Sequence, residues 1–129
     1  RFAGATYDPT AHYRAAAVFD FHERAGLTPE LLREVSRHQV GRLAERFDAL
    51  DLDPQVLSRD RETALERVAG FLALRCPRAP DLARRLRARG LWSDARGDVL
   101  RLGPAPYLSD AQLDRAIAVL GDVAGTNQP

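Results

Sequence analysis

The feature that most constrains the fold of this chain is a short apolar stretch that runs into a rigid turn, Asp98–Leu108 (DVLRLGPAPYL). Two leucines alternate with Val99 and Arg101, which is the period of a β-strand that has one face in a core. Gly103, followed by prolines at 104 and 106, ends the strand abruptly. The pattern predicts a strand whose leucines are buried and whose Arg101 lies on the opposite face, close to a fixed strand end.

The charge of Arg101 must be balanced by a partner, and two kinds of partner are open. A guanidinium on a rigid element is well suited to bidentate binding of a carboxylate or phosphate ligand. The alternative is a structural ion pair with an acidic side chain, which is the more common role for an arginine on a strand. Asp94 and Asp98 flank Arg96 just upstream, and such a cluster usually stabilises a turn. The residues alone leave both roles of Arg101 open.

Capping residues and hydrophobic periodicity predict the other elements. Asp8-Pro9 begins a helix that runs to Ala25, and Thr28-Pro29 begins a longer one that runs to about Leu50. Its charged face mixes signs at three- and four-residue spacings, which predicts a solvated face with weak pairs along the helix. The remaining predictions are helices at 80–89 and after the capping box Ser109–Gln112, a clear strand at Gly70–Cys76, and weaker strand candidates at Leu91–Ala95 and Gln55–Arg59.

This order of elements predicts an α+β domain in which helices cover a small, largely antiparallel sheet of three to four strands. No linker or repeat divides the chain, so 1–129 is interpreted as a single domain. Residues 1–8 are expected to be an extended N-terminal segment and 125–129 a frayed tail. The stretch 60–69 is left without an assigned element.

The charge and the cysteine content restrict the classes of partner, the metal sites and the compartment to be expected. Nineteen basic residues against 18 acidic ones give a net charge of +1, so no global field would attract nucleic acid or an anionic membrane. No apolar run approaches the length of a membrane span. The three histidines and Cys76 lack metal-ligand spacing, so no metal is expected. An unpaired Cys76 fits a reducing compartment, which favours the cytoplasm.

All 19 basic residues are arginine, and the chain contains no lysine. Without lysine the chain alone has no Schiff-base chemistry, no phosphate-loop lysine and no Ser-Lys dyad. No nucleophile-elbow or dinucleotide-binding motif is present either. The sequence therefore predicts no catalytic residue within this chain.

The stretch Ser93–Tyr107 resembles a known family. Its Asp94-Ala95-Arg96 turn, followed by Arg101 at a strand end, is similar to the Asp-aromatic-Arg turn and the Arg-Phe-small-x-x-Pro strand end of kynureninase-like enzymes. These are class V aminotransferase-group, fold-type I pyridoxal-phosphate enzymes, and the similarity is to their C-terminal small domain. Arg1–Thr6 (RFAGAT) resembles the family's Arg-Phe-x-Gly-Gly-Thr, and Ser58–Asp60 leading to the 70–75 strand adds support.

The resemblance implies an aminotransferase-like small domain and assigns roles to particular residues. In that family the strand arginine binds the α-carboxylate of the amino-acid substrate, and the matching residue is Arg101. A threonine of the N-terminal segment reaches the cofactor phosphate across a dimer interface, and the matching residue is Thr6. The chain departs from the family where Ala95 replaces an aromatic residue and where Thr-Pro-Pro becomes Thr-Tyr-Asp-Pro. Four further residues would support the site structurally: Asp94, Arg96, Gly103 and Pro104.

The resemblance also implies partners for this chain. The cofactor lysine of such enzymes belongs to a large domain, which we expect to precede Arg1, so this fragment alone would bind no pyridoxal phosphate and would be inactive. The parent would be a cytoplasmic homodimer that hydrolyses kynurenine to anthranilate and alanine. A class V aminotransferase and a cysteine-desulfurase-like lyase are the enzymatic alternatives. A non-catalytic adaptor or regulatory domain is the alternative of another class.

Overall fold

The computed structural model describes residues 8–125, which fall into two compact units. One unit ends at Arg33 and the other begins at Glu34, so the division lies inside a helix. The predictions for residues 1–7, Thr6 among them, and for the tail 126–129 lie outside the described residues.

The first unit contains helix α1, Thr10–Arg24, and the first turn of helix α2. The helix begins one residue later than predicted, with Pro9 rather than Asp8 at the N-cap position. The Asp8 carboxylate accepts a hydrogen bond from the Thr10 backbone N–H at 2.9 Å. Gly26, at φ +65°, follows the helix in the left-handed conformation expected of a C-terminal glycine. No residue of α1 is buried.

Helix α2 spans Pro29–Asp48 and ends two residues before the predicted end. Its start is as predicted, because the Thr28 hydroxyl accepts the Leu31 N–H at 3.2 Å. In the second unit its buried face consists of Gln39, Val40, Leu43, Ala44 and Phe47. These residues recur at helical spacing, as the periodicity requires.

The charged face of α2 pairs with other segments, whereas the sequence predicted weak pairs along the helix itself. Arg42 donates from Nε and Nη2 to the two carboxylate oxygens of Asp114, at 2.8 and 2.7 Å, and Arg46 reaches the same carboxylate at 3.2 Å. The Arg42 hydrogen bond, more than any other cause, lowers the pKa of Asp114. The charges therefore join α2 to the last helix, a contact that no local spacing reveals.

The sheet has three antiparallel strands: β1 at Leu72–Arg75, β2 at Asp94–Arg96 and β3 at Val99–Leu102. Strand β3 lies in the centre, in the order β1-β3-β2. A short 3-10 turn covers Leu65–Arg67, and helices α3 and α4 span Ala79–Ala88 and Asp110–Gly125. The predicted α+β class and the small antiparallel sheet are confirmed.

Two strand predictions need correction. The candidate at Leu91–Ala95 begins instead at Asp94, because the two-residue turn Gly97-Asp98 fixes the β2–β3 pairing, with Gly97 at φ +57°. The candidate at Gln55–Arg59 is a turn that makes a single bridge, between Ser58 and Arg75. Its N–H groups are used locally: the Asp53 side chain accepts from Gln55, and the Asp53 carbonyl from the next two residues.

One hydrophobic core holds the second unit together. Leu72 and Leu74 of β1 and Leu100 and Leu102 of β3 are at most 6% exposed and form the core face of the sheet. The helices complete the core with Phe47, Leu82, Leu86, Leu113, Ile117 and Leu120. The alternate residues of each strand consequently lie on the opposite face of the sheet.

Truncation of this core should be costly. We expect Leu74→Ala, at a position that is 0% exposed, to lower the free energy of unfolding by about 2–5 kcal/mol, because the lost burial leaves a cavity. Leu31→Ala removes the same atoms from a side chain that is 42% exposed, and it should change the free energy of unfolding by less than about 0.5 kcal/mol. Urea unfolding of both variants tests this, and equal losses would contradict the assigned core.

Candidate functional site

The face of the sheet opposite the core brings together residues that are distant in the sequence. Arg101 pairs directly with Ala73 of β1 and with Asp94 of β2, and directly paired residues share a face. Arg96 lies opposite Val99 on the same face. The predicted orientation of Arg101 is confirmed: its two leucine neighbours are buried, while its own side chain is 33% exposed.

Arg101 is held by two contacts. Its Nη2 donates to Asp94 Oδ2, and its guanidinium carbon lies 4.9 Å from the centroid of the Phe71 ring, within the range of a cation–π interaction. Arg96 Nε donates to the same Asp94 oxygen at 3.2 Å. The hydrogen bond from Arg101 is the main reason that the pKa of Asp94 lies below its usual value, and Arg96 contributes less.

The pairing bears on the two roles left open for Arg101. The structure contains the structural ion pair, yet that pair uses Nη2 alone. Within residues 8–125 no protein acceptor meets Nε or Nη1, so an arginine with five N–H donors keeps most of them available. The ion pair with Asp94 and the binding of a ligand anion are therefore compatible.

An open cavity of about 380 Å³ lies beside Arg101. Four of the residues assigned to the site from the sequence line it, and Arg96 is connected to it through Asp94. The lining residues are Gly70, Phe71, Trp92, Ser93, Asp94, Arg101, Gly103 and Pro104. The structure thus places the predicted residues together, while Thr6 lies outside the described part of the chain.

The turn after β3 is fixed to α2 by Gln39, a residue to which the sequence pattern assigned no role. Gln39 is 3% exposed, and its Nε2 donates to the carbonyl oxygens of Ala105 at 3.0 Å and Leu108 at 3.1 Å. The signal for Gln39 in the sequence was a polar residue next to Val40, on the helix face that otherwise carries apolar residues. Because buried amide donors are costly to leave unpaired, this contact holds the Gly/Pro turn, and with it the end of β3, in place.

Four residues that line the cavity were not assigned to the site from the sequence: Gly70, Phe71, Trp92 and Ser93. Trp92 is 71% exposed, and the Arg87 guanidinium carbon lies 3.9 Å from the centroid of its ring. Ser93 Oγ is the one buried side-chain polar atom in the described residues that has no hydrogen-bond partner. The signal in the sequence was the single tryptophan of the chain, which lies directly before Ser93-Asp94. Aromatic side chains and a guanidinium therefore share one concave surface.

No group of three or more His, Cys, Asp or Glu side chains in 8–125 is arranged to hold a metal ion. None of the described helices combines the length and the apolar character needed to cross a membrane.

Comparison with known proteins gives one finding about the family. A family model described as the kynureninase C-terminal domain matches residues 32–120, more than half of the chain. The matched range contains Gln39, the three strands and every residue that lines the cavity. No curated protein matches the chain.

The ion pair at the site predicts a pH dependence. Arg101→Ala should raise the pKa of Asp94 toward 3.8, because it removes the largest cause of the lowered value. Since the folded-state pKa lies below the unfolded one, the pair stabilises the fold above the unfolded pKa, and this stabilisation is lost as the pH falls through the folded pKa. An NMR titration of the Asp94 carboxyl carbon tests this, with Arg75→Ala as a control. An unchanged pKa in the Arg101 variant would refute the pairing.

Proposed function

This chain belongs to the kynureninase C-terminal domain family, and from that premise we propose that it is the small domain of a pyridoxal-phosphate-dependent enzyme that acts on an amino acid. The observation that carries the proposal is the position of Arg101, near the end of β3 and beside an open cavity. Within residues 8–125 its Nε and Nη1 donors have no protein acceptor. In this proposal Arg101 binds the α-carboxylate of the substrate.

The surroundings of Arg101 support a role in carboxylate binding. A guanidinium can meet a carboxylate through two parallel N–H···O bonds, and such charge-assisted bonds are stronger than neutral ones. The side chain is two-thirds covered, which limits screening by water and salt. Strand β3 and the turn that Gln39 anchors place the guanidinium on a rigid element, as a specific anion site requires.

The cofactor chemistry would come from outside this chain. Pyridoxal phosphate, when bound, supplies an electron sink for bond cleavage next to the amino-acid α-carbon. The chain has no lysine to hold that cofactor, so we place the lysine on a large domain of the same polypeptide. Thr6 is the candidate for a phosphate contact across a homodimer interface. The chain's own described residues then bind the substrate and orient it.

For the reaction we propose hydrolysis of the Cβ–Cγ bond of kynurenine, which yields anthranilate and alanine, in a cytoplasmic homodimer. Phe71 and Trp92 favour this choice over the alternatives, because their rings line the same cavity as Arg101 and suit a substrate with a flat side chain. A class V aminotransferase or a cysteine-desulfurase-like lyase would need the carboxylate site equally. A non-catalytic adaptor would not need it.

The carboxylate role can be tested in the full-length enzyme. Arg101→Ala should raise KM for the amino-acid substrate about 10- to 100-fold, because hydrogen bonds to charged groups contribute about 1.5–3 kcal/mol. Arg75→Ala is the matched control, since Arg75 is an exposed arginine on the same face of the same sheet, and it should leave KM unchanged. Steady-state kinetics of both variants decide the matter, and a normal KM for Arg101→Ala would make this arginine structural.

The reaction can be tested with a substrate panel on the same enzyme. We expect anthranilate release from kynurenine, detected by fluorescence, with no sulfide from cysteine and no keto acid from other amino acids. Sulfide release would favour the lyase, and keto-acid formation the aminotransferase. If the gene encodes no lysine-bearing domain with this chain, the adaptor alternative replaces the enzyme.

A further inference from the structure

We propose that Asp94 is a positioning residue, which orients the Arg101 guanidinium so that its remaining donors meet the substrate carboxylate. The inference rests on the proposed function, because it concerns how the substrate-binding arginine is held. Asp94 itself need not touch the substrate.

The first support is the place of Asp94 in the sheet. Asp94 lies directly opposite Arg101 in the β2–β3 pairing, and the tight turn at 97–98 fixes that register. Because directly opposite residues in an antiparallel pair share a face and lie close together, the carboxylate reaches the guanidinium from a rigid backbone. The pair is therefore built into the hairpin.

The second support is the geometry at the guanidinium. The Arg101 Nη2 donates to Asp94, and the guanidinium carbon lies 4.9 Å from the centroid of the Phe71 ring. The guanidinium is therefore held by a hydrogen bond and by an aromatic ring. A long side chain held in this way loses less conformational freedom when a ligand binds. The other N–H groups stay available beside the cavity.

The third support is the arrangement around Asp94. Arg96 donates to the same carboxylate oxygen at 3.2 Å, and its own side chain is 72% exposed. Two guanidinium groups thus share one carboxylate, which leaves the cluster of Asp94, Arg96 and Arg101 with a net positive charge. A surplus of positive charge beside a cavity suits the binding of an anionic group.

A competing role for Asp94 gives the opposite expectation. If Asp94 occupied the position that the substrate carboxylate needs, its removal would free Arg101 and strengthen binding. If Asp94 positions Arg101, its removal weakens binding of substrates that carry the carboxylate. The sign of the change in KM separates the two roles.

The test uses the full-length enzyme with Asp94→Asn, which removes the charge and keeps the shape. We expect KM for the amino-acid substrate to rise about tenfold, as for the loss of one charge-assisted hydrogen bond, with kcat changed by less than about twofold. The inhibition constant of the matching amine, which lacks the carboxylate, should not change. Asp98→Asn, at an exposed acid in the adjacent turn, is the control and should match the parent.

Two further variants make the result specific. In an Arg101→Ala background, Asp94→Asn should have no additional effect on KM, because Asp94 acts through Arg101. Asp94→Glu, which keeps the charge, should recover part of the lost affinity and keeps the test usable if the asparagine variant folds poorly. Circular dichroism of each variant checks the fold.

The outcomes separate this inference from the proposed function. An unchanged or lower KM in Asp94→Asn, or equal weakening of substrate and amine, overturns the positioning role. The positioning role is also overturned if Asp94→Asn raises KM as much in the Arg101→Ala background as in the parent enzyme. If Arg101→Ala itself leaves KM unchanged, the proposed carboxylate site fails, and the positioning role fails with it.

Discussion

The burial of Leu100 and Leu102 in the core is the interaction on which the rest of the structure depends. Both lie on β3, which is the central strand and pairs with β1 and β2. Because side chains alternate along a strand, a shift of one residue would exchange the buried and the open face, so core packing also sets the register. That register places Arg101 opposite Asp94 on the face that the core leaves free.

The candidate site is formed by residues at or next to the ends of these three strands. Phe71 comes from the residue before β1, Asp94 from the start of β2, and the Gly/Pro turn from the end of β3. Gln39 adds the hydrogen bonds that tie this turn to α2. Each contributor is part of a packed element or fixed to one, so the guanidinium is held before any ligand arrives. The proposed role of Arg101 in carboxylate binding requires such a preorganised side chain.

Local sequence patterns correctly predicted the features that depend on residues close together in the chain, such as helix caps and strand periodicity. The capping box of α4 forms as expected: the Ser109 N–H donates to Gln112 Oε1 at 2.9 Å, and the Gln112 N–H donates to Ser109 Oγ at 3.4 Å. Strands β1 and β3 and their buried leucines were predicted for the same reason. The Gln55–Arg59 prediction was wrong because Asp53 binds the N–H groups that a ladder would use. The partner of Arg42 was missed because Asp114 is far away in sequence.

The sequence by itself determined the α+β class, the buried face of β3 and the outward side of Arg101, since residue period and turn chemistry act over a few residues. The sequence also showed that none of the given residues is a lysine, so the Schiff-base lysine of the proposed enzyme is not among them. Only the tertiary structure decided that Asp94 and Phe71 hold Arg101, that Gln39 anchors the turn, and that Trp92 lines the same cavity. These contacts join segments that are brought together by strand pairing and core packing, and no local pattern specifies them.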